Sequence, residues 1–341
     1  MSKLTDKLGR EIKDLRISVI DACNFRCPYC MPAAIFDHYE FLKKDELLSF
    51  EEINRLVKHF VSFGVEKIRL TGGEPLLRKN LEKLIEMLAM IPGIKDLALT
   101  TNGYLLADKA QSLKDAGLMR VTVSLDALDE EKFKKMAGRD VKLERVLKGI
   151  EVAKEVGLGP IKINTVVKRN GNEEQIVPLA RYFKGSGVTV RYIEYMDVGS
   201  ANGWNLHHVL TLDEITQMIN KEFPLESVYE EIESSDVAKR FHYKDNTGEI
   251  GVVSSVSKPF CRSCVRARLS AEGKFYTCLF ATEGTDLRTP LRSDLTEEQM
   301  AAFLSNIWAK RSDRYSELRQ MLPPENIEQT VKRVEMFKMG G

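Results

Sequence analysis

The cysteines of this chain fall into two triplets that lie near opposite ends of the sequence. All six belong to one triplet or the other: Cys23, Cys27 and Cys30, then Cys261, Cys264 and Cys278. Three closely spaced thiolates can hold a metal centre, yet they leave it one protein ligand short. In a four-iron cluster each iron takes one thiolate, so three cysteines leave one iron open to a small molecule. The sequence therefore predicts two centres that are each completed by something other than protein.

A structural zinc ion is the alternative at each triplet, because zinc also binds cysteine thiolates but usually takes four ligands. His38 could supply the fourth ligand at the first triplet, and His242 or an aspartate could supply it at the second. On spacing alone, a zinc knuckle stays open for the second triplet. The corresponding alternative function is a zinc-stabilised module that binds RNA or protein.

Charged and glycine-rich motifs accompany the cysteines. T-G-G-E-P (Thr71–Pro75) offers glycines that let a backbone approach a ligand, and Glu74 as an anionic acceptor for a cationic amine. Beside the second triplet, Arg266 and Arg268 alternate across one residue, so both project to one side of an extended segment. Two guanidinium groups next to a metal cluster suit a polyphosphate, because arginine makes bidentate and permanently charged contacts.

The elements that must position these residues are short β-branched segments that alternate with amphipathic helical segments. The predicted strands are Leu15–Ile20, Lys67–Thr71, Asp96–Thr101, Arg120–Leu125, Ile161–Val167 and Val188–Tyr195. The predicted helices are Phe50–Phe63, Leu81–Met90, Ala107–Ala116, Leu143–Val156 and Glu173–Phe183. Six successive βα units predict a parallel sheet with right-handed crossovers. The polar motifs follow strand ends, where barrel active sites lie, although a doubly wound open sheet binds ligands there too.

We favour an α/β fold with an incomplete (β/α)6 TIM-like barrel over residues 1–198, because the βα rhythm ends after Val198. Residues 199–341 would form a C-terminal region that carries the second iron–sulfur cluster, binds substrate and covers the open side. Within it, the sequence predicts a helix near Leu212–Phe223 and strands near Ala238–Tyr243 and Glu249–Val256. The chain would end in a flexible Gly340-Gly341 tail.

Composition limits the partners and the compartment. The net charge of +1 creates no general attraction for nucleic acid. No apolar run reaches membrane-spanning length, and the N-terminus lacks the apolar core of a signal peptide. We therefore expect a cytoplasmic protein, where thiols stay reduced and clustered cysteines indicate metal binding or catalysis.

The first triplet and T-G-G-E-P together resemble the radical S-adenosylmethionine (SAM) superfamily. Its hallmark is a Cys-x3-Cys-x-aromatic-Cys loop after the first barrel strand, with Tyr29 at the aromatic position. The resemblance implies a [4Fe-4S] cluster on Cys23, Cys27 and Cys30 whose open iron binds SAM. It also implies that Tyr29 and Gly73 belong to the SAM site, with Gly73 at the SAM amino group. Ser124 would bond the ribose, and Met196 would present its backbone to the adenine.

The whole chain is similar to the GTP 3′,8-cyclase family of molybdenum cofactor biosynthesis. The similarity rests on D-K-L-G-R (Asp6–Arg10), on C-x2-C-x-R-A-R-L…C around the second triplet, and on the terminal Gly340-Gly341. It implies a second [4Fe-4S] cluster on Cys261, Cys264 and Cys278 whose open iron meets the guanine of GTP. The implied GTP contacts are Arg16, Arg69, Thr100, Lys162, Arg266, Ala267 and Arg268. Of these, Arg266 and Arg268 would also act in catalysis, and the diglycine tail would reach into the active site.

The family resemblance also implies a reaction and partners. A 5′-deoxyadenosyl radical would take the ribose 3′ hydrogen of GTP, and the carbon radical would attack guanine C8. Reduction would then give (8S)-3′,8-cyclo-7,8-dihydroguanosine 5′-triphosphate. The expected partners are a reductant such as flavodoxin or dithionite, the pterin synthase that receives the product, and a second copy in a homodimer. A radical SAM peptide-modifying enzyme with an auxiliary cluster is the alternative, although such enzymes usually hold additional cysteines.

Overall fold

Six parallel strands connected through helices form the first part of the chain in the computed structural model, which describes residues 4–228, 237–322 and 333–340. The strands are β1 (Asp14–Ser18), β2 (Lys67–Thr71), β3 (Asp96–Thr101), β4 (Arg120–Ser124), β5 (Lys162–Val167) and β6 (Thr189–Glu194). Each observed strand overlaps its prediction, with ends that differ by two residues at most. Runs of β-branched and apolar residues therefore located the strands correctly.

Helices connect the strands. In chain order they are α1 (Ala33–Phe36), α2 (Phe50–Ser62), α3 (Leu81–Ala89), α4 (Leu106–Asp115), α5 (Glu130–Ala137), α6 (Leu143–Glu155), α7 (Ile176–Phe183) and α8 (Leu212–Asn220). Local sequence sets their starts, as α2 illustrates. The Ser49 hydroxyl accepts the Glu52 N–H, and the Glu52 carboxylate accepts the Ser49 N–H in return. This capping box satisfies two N–H groups that the helix itself leaves unpaired.

The described strands form one sheet of twelve, and its order shows that the barrel stays open. β1 to β6 lie side by side, while β1 and β6 each pair with C-terminal strands instead of with each other. On the β6 side the sheet continues through β9 (Glu249–Val253), β8 (Ala238–Tyr243) and β7 (Leu225–Ser227). On the β1 side it continues through β10 (Arg266–Leu269), β11 (Lys274–Tyr276) and β12 (Thr285–Asp286). The predicted incomplete barrel with a C-terminal extension is confirmed.

Alternation along the strands separates an apolar face from a polar one. In β1, Leu15 and Ile17 are completely buried in the main hydrophobic core, while Arg16 between them faces the barrel interior. β2 repeats the pattern, with Arg69 between core residues. Because successive side chains of a strand point to opposite faces, and the flanking residues face the core, the alternation alone directs these arginines inward. The interior is therefore cationic where a closed barrel would be filled with branched apolar side chains.

Several elements were not predicted. α5 has just three buried residues, Phe133, Met136 and Ala137, so its charged sequence carries no clear apolar stripe. The carboxylate of Asp129 starts α5 by accepting the Lys132 N–H at 2.8 Å. The short helix α1 was missed as well, and the remaining missed helices lie after the second triplet: α9 (Arg288–Leu291), α10 (Glu297–Ala309), α11 (Tyr315–Arg319) and α12 (Met336–Met339). None of the described helices combines the length and apolarity needed to cross a membrane.

One buried carboxylate, that of Glu194, ties the end of β6 to the C-terminal region. One oxygen accepts the Leu212 N–H at 2.8 Å, at the start of α8, together with the Ser257 hydroxyl. The other oxygen accepts the N–H groups of Val256 and Ser257, both at 2.8 Å. A single side chain thereby satisfies three backbone donors and holds the segment after β9 against the barrel.

Glu194→Ala should lower the free energy of unfolding by about 3–5 kcal/mol, because each buried donor left unsatisfied costs about 1–3 kcal/mol. Urea unfolding of the metal-free protein, followed by circular dichroism, measures the change. Glu151→Ala is the control, since Glu151 lies exposed on α6 beside Lys148, and it should leave the midpoint nearly unchanged. Equal midpoints for the two variants would contradict the role assigned to Glu194.

Candidate active site

One cavity of about 240 Å³ lies at the carboxyl ends of the barrel strands, and all six cysteines line it. The first triplet reaches the cavity from the loop after β1, and the second reaches it from segments beside β10 and β11. The two triplets therefore share one space although they lie near opposite ends of the chain. The other predicted site residues on its wall are Arg16, Tyr29, Gly73, Thr100, Ser124, Met196, Arg266 and Arg268.

The first triplet lies on a loop that turns back on itself directly after β1. The N–H groups of Cys30 and Met31 both donate to the Cys27 carbonyl at 2.9 Å. Arg26 fixes the start of the loop, because its guanidinium donates to the Cys23 carbonyl at 2.8 Å. Backbone turns and one arginine therefore hold the loop whose three thiols line the cavity.

Burial keeps the thiols of the first triplet protonated in the protein chain itself. It raises the pKa of Cys23 to about 12, and it also raises the pKa values of Cys27 and Cys30. The neighbouring thiols add to the effect on Cys27, because like charges close together disfavour ionisation. Metal ligation requires thiolates, so binding of a metal centre here must release protons.

The aromatic residue of the cysteine loop connects that loop to β4. The Tyr29 hydroxyl donates to the Asp126 carboxylate at 2.7 Å, and the other oxygen of Asp126 accepts the Val166 N–H at 2.8 Å. Burial raises the pKa of Asp126 to about 6. The Tyr29 hydroxyl therefore has a structural role, which the aromatic position in the motif does not reveal.

The T-G-G-E-P turn after β2 packs against the start of the cysteine loop. The Gly73 N–H donates to the Ile20 carbonyl at 2.7 Å, and the Glu74 N–H donates to the Ala22 carbonyl at 2.9 Å. A Cβ atom at Gly73 would lie 2.3 Å from the Ala22 oxygen, so no other residue fits without a backbone shift. Glycine is required here for the contact between two backbone segments, and that contact brings Gly73 to the cavity wall.

The Glu74 side chain does not face the cavity as an acceptor for an amine would. It is 1% exposed, and its carboxylate accepts the Thr101 hydroxyl at 2.7 Å and the N–H groups of Asn102 at 2.8 Å and Leu76 at 3.0 Å. Burial raises its pKa to about 7. The sequence-based role of Glu74 is therefore corrected: the carboxylate joins the turn after β2 to the turn after β3.

Three residues that the sequence marked more weakly, Thr100, Ser124 and Met196, also lie on the cavity wall. Thr100 accepts a hydrogen bond from Arg69 at 3.5 Å. The Met196 carbonyl accepts the side-chain amide of Asn202 at 3.1 Å, which fixes the loop after β6. A carbonyl oxygen has two lone pairs, so this contact leaves one available to a ligand.

The second triplet has a different electrostatic environment from the first. The Cys264 N–H donates to the Cys261 carbonyl at 3.2 Å across a short 3-10 turn, and Cys278 follows β11. Guanidinium nitrogens of Arg266 and Arg311 lie 3.7 and 3.3 Å from the Cys264 sulfur. Burial alone would raise the pKa of Cys264, but these two positive charges outweigh it and lower the pKa to about 6. Burial raises the pKa of Cys278 to about 11.

A row of arginines crosses the interior face where β10, β1 and β2 pair. The register places Arg268 beside Arg16 and Arg16 beside Arg69. Burial and repulsion from Arg268 lower the pKa of Arg16 well below its usual value, and Asp14 offsets this in part. The Nε atoms of Arg16 and Arg69 are buried and have no hydrogen-bond partner within the described residues. Such a row favours an anionic ligand, because buried charges require compensation.

Three predicted substrate contacts, Arg69, Lys162 and Ala267, do not line the cavity. Arg69 is buried beside it and donates to the Thr122 hydroxyl at 3.2 Å, and Lys162 stands opposite Thr122 in the adjacent strand. The Ala267 side chain is completely buried in the core, because R-A-R alternates across β10. Any contact between Ala267 and a ligand would therefore use its backbone.

The C-terminal segment reaches the same cavity, with Phe337 of α12 on the wall. The Arg268 guanidinium donates to the Gly340 carbonyl at 2.8 Å. Gly340 has φ +70°, and a Cβ atom there would lie 2.1 Å from the Thr71 side chain, so glycine is required. Gly341, the other residue of the predicted tail, lies outside the described residues.

Sequence reasoning missed Arg191, which lines the cavity from β6 and donates to the Asn164 side chain at 2.7 Å. The sequence does mark this position, because Arg191 is a lone arginine inside a β-branched strand, as Arg16 is. Phe260 was missed as well. Its ring lies 4.9 Å from the Arg266 guanidinium carbon, and nothing local in the sequence marks that contact.

The donor set of each triplet fits an iron–sulfur cluster. All six cysteines are free thiols. In residues 4–228, 237–322 and 333–340, no three or more His, Cys, Asp or Glu side chains converge closely enough to hold one metal ion. The zinc alternative, with His38 or His242 as the fourth ligand, thus has no candidate set in these ranges. Thiolates of a four-iron cluster bind separate irons, so they need not converge on one point.

Comparisons with known proteins agree with this geometry. The model of the radical SAM superfamily matches residues 17–183, and that of Molybdenum Cofactor Synthesis C matches residues 188–317. The crystal structure of Streptococcus suis SuiB bound to S-adenosylmethionine has a similar fold. The TM-score is 0.61 over 88% of this chain and 66% of that chain, at 16% identity. The fold and the cysteine loop define a radical SAM protein.

Full-length relatives narrow this class to one family. The GTP 3′,8-cyclase of Staphylococcus carnosus (strain TM300) is 47% identical over 348 residues, which cover 100% of both chains. That of Xanthomonas campestris pv. campestris (strain B100) is 49% identical and covers 99% of this chain and 97% of the relative. The chain belongs to the GTP 3′,8-cyclase family, as its motifs predicted.

Glu74→Gln should change how stability depends on pH. Burial raises the folded-state pKa of Glu74 from its usual 4.5 to about 7, so the folded protein binds this proton more tightly than the unfolded chain does. The stability contributed by protonation is complete below pH 4.5 and is lost as the pH rises through 7. Because glutamine does not titrate, the unfolding free energy of wild type relative to the variant should fall by about 3 kcal/mol across this range.

Urea unfolding of the metal-free proteins at several pH values between 4.5 and 7.5 measures this difference. Glu86→Gln is the matched control, because Glu86 lies exposed on α3, and its difference from wild type should stay flat with pH. A flat difference for Glu74→Gln as well would show that the carboxylate is ionised throughout and would contradict the raised pKa.

Proposed function

We propose that this protein is a radical SAM GTP 3′,8-cyclase. It converts GTP to (8S)-3′,8-cyclo-7,8-dihydroguanosine 5′-triphosphate in the first step of molybdenum cofactor biosynthesis. The observation that carries the proposal is that two free-thiol triplets line one cavity next to a row of buried arginines. Membership of the GTP 3′,8-cyclase family supports the choice of substrate.

The barrel, residues 1–198, would supply the SAM end of the cavity. Cys23, Cys27 and Cys30 would hold a [4Fe-4S] cluster that leaves one iron for the amino and carboxylate groups of SAM. The remaining contacts would come from strand ends around the triplet, namely Tyr29, Gly73, Ser124 and Met196. The wall position of Gly73 supports its assignment to the SAM amino group, since the Gly73 backbone can meet a ligand without a side chain in between.

The C-terminal region, residues 199–341, would supply the substrate end. Cys261, Cys264 and Cys278 would hold the second [4Fe-4S] cluster, with the guanine of GTP at its open iron. Arg266, beside the Cys264 sulfur, and Arg268, at one end of the arginine row, line the same cavity. We assign both arginines to catalysis as well as substrate binding, because they would contact the nucleotide where it reacts.

The triphosphate would lie against the cationic interior of the barrel. Arg16 is on the cavity wall and stands beside Arg69, and Lys162 stands opposite Thr122, which accepts a hydrogen bond from Arg69. Thr100 connects to this set through its contact with Arg69. A strongly anionic ligand would relieve the repulsion among the guanidinium groups and pair their unsatisfied donors. The proposed GTP contacts are Arg16, Arg69, Thr100, Lys162, Arg266, Ala267 and Arg268.

When bound, the first cluster and SAM would supply the 5′-deoxyadenosyl radical that removes the ribose 3′ hydrogen. The protein would hold the ribose towards the SAM end while the arginines fix the triphosphate and the guanine sits at the second triplet. Fixing both ends of the nucleotide restrains guanine C8 near the ribose, which lowers the entropic cost of closing the new ring. The Arg268–Gly340 contact would place the C-terminal tail beside the reacting nucleotide.

The peptide-modifying alternative is not favoured. SuiB, one of the structural neighbours, has also been crystallised with its precursor peptide SuiA, but its identity of 16% makes it a likeness of fold. The chain has no cysteines beyond the two triplets, whereas its full-length relatives are GTP 3′,8-cyclases. The substrate class therefore follows those relatives.

The proposal includes partners and a compartment. An external reductant such as flavodoxin, or dithionite in the laboratory, would supply electrons, and a pterin synthase would take the product. We expect a cytoplasmic protein, because cluster ligands have to remain reduced. The family resemblance alone implies the homodimer.

Anaerobic reconstitution with iron and sulfide, followed by assay with SAM and GTP, tests the function. The protein should bind about eight irons per chain in two clusters. Formation of 5′-deoxyadenosine should depend on GTP, and the cyclised nucleotide should appear by mass spectrometry. Zinc in place of iron, or SAM cleavage that is indifferent to GTP, would overturn the proposal. Cys27→Ser is the matched loss-of-function variant, and it should abolish SAM cleavage.

Arg266→Ala should weaken GTP binding and leave the first cluster intact. A lost charged hydrogen bond costs about 1.5–3 kcal/mol, which corresponds to a rise of about 10- to 100-fold in the KM for GTP. Arg262→Ala is the control, because Arg262 lies exposed in the same loop and does not line the cavity. Loss of iron from the first cluster in Arg266→Ala would contradict the division of the cavity into two ends.

A further inference from the structure

The N-terminal motif D-K-L-G-R packs behind the second triplet, outside the cavity. Its two charged ends, Asp6 and Arg10, are 6% and 4% exposed, and they meet Arg311, which is 4% exposed. The Arg10 Nε donates to the Asp6 carboxylate at 2.6 Å, and an Arg311 nitrogen lies 3.4 Å from the same carboxylate. One acid and two arginines therefore form a buried charged group that the proposed substrate and SAM sites do not use.

Both arginines of this group hold the backbone of the second triplet. Arg10 donates to the Cys261 carbonyl at 2.8 Å, and Arg311 donates to the Cys264 carbonyl at 2.8 Å. The Arg311 guanidinium also packs over the Trp308 ring, with its carbon 4.5 Å from the ring centre, and this contact restrains the Arg311 side chain. Two of the three cysteines are thereby anchored from behind by charged donors.

Arg311 also reaches a ligand sulfur directly. Its second terminal nitrogen lies 3.3 Å from the Cys264 sulfur, within hydrogen-bond distance for sulfur. In the part of the chain that the structure describes, the sulfur atoms of the first triplet receive no guanidinium hydrogen bond. Cys23 accepts from the Phe25 N–H at 3.3 Å and lies 3.9 Å from the Asn102 amide. The groups that donate hydrogen bonds to sulfur therefore differ between the triplets: they are charged guanidinium groups at Cys264 and neutral amides at Cys23.

We propose that Arg311, held in place by Asp6 and Arg10, is a positioning residue that orders the second triplet and raises the reduction potential of the cluster bound there. The inference rests on the proposed function, which places a [4Fe-4S] cluster on Cys261, Cys264 and Cys278. Hydrogen bonds to ligand sulfurs help to set cluster potentials, because they stabilise the more negative reduced state. A buried positive charge beside the sulfur acts in the same direction.

The fork shape of the guanidinium matters as well as its charge. Arg311 donates to the Cys264 carbonyl with one terminal nitrogen and to the Cys264 sulfur with the other. Lysine would keep the charge but could not reproduce this planar pair of donors. Glutamine would remove the charge altogether. The two substitutions therefore separate hydrogen-bond geometry from charge.

The test uses the full chain with Cys23, Cys27 and Cys30 replaced by serine, so that the second triplet alone can hold a cluster. After anaerobic reconstitution, iron and sulfide analysis gives occupancy. A mediated dithionite titration, followed by electron paramagnetic resonance, then gives the midpoint of the one-electron reduction. The variants in this parent are Arg311→Gln, Arg311→Lys and the control Arg262→Gln, whose residue lies exposed beside Cys261.

Arg311→Gln should shift the midpoint to a more negative potential or reduce iron occupancy. Arg311→Lys should retain iron and show a smaller shift in the same direction. If Arg311→Gln does not fold, the midpoint of Arg311→Lys tests the effect of Arg311 on the cluster potential. Arg262→Gln should match the parent. Unchanged occupancy and midpoint in both Arg311 variants would overturn the inference. A parent that binds no iron would instead contradict the cluster assignment in the proposed function, so the two failures are distinguishable.

Discussion

The structure depends on a buried row of positive charge inside a barrel that does not close. Arg268, Arg16 and Arg69 occupy adjacent positions on three neighbouring strands and face inward. Their mutual repulsion is costly without an anion, because buried guanidinium groups cannot shed their charge as readily as lysines do. An anionic ligand in the cavity that Arg16 and Arg268 line would offset this repulsion.

Parallel pairing of β10 with β1 brings the two ends of the sequence to one site. It sets Arg268 beside Arg16, and it carries the second triplet to the cavity that the first triplet also lines. Further contacts hold the C-terminal region against the barrel: Glu194 holds the segment after β9, and Arg268 donates to the Gly340 carbonyl. Long-range sheet pairing, and not any local motif, brings two separate cysteine triplets to one cavity.

The barrel strands and the six cysteines of the cavity wall could be predicted from the sequence, because β-branched runs and closely spaced cysteines are local signals. The contacts that orient these residues could not. Tyr29 meets Asp126, and Arg311 meets Cys264, only after distant segments pack together. The Glu74 side chain was assigned to a ligand from its motif, yet the fold surrounds it with protein donors. Polar tertiary contacts have no periodicity along the chain, so a single sequence does not reveal them.

The most direct test of a single cavity with two functional ends is an anaerobic crystal structure of the reconstituted protein with SAM and GTP. The account predicts one cluster with SAM on Cys23, Cys27 and Cys30, and a second cluster with guanine on Cys261, Cys264 and Cys278. The triphosphate should lie against Arg16, between the two clusters. A triphosphate bound away from the arginine row, or a second triplet that holds zinc and no nucleotide, would contradict it.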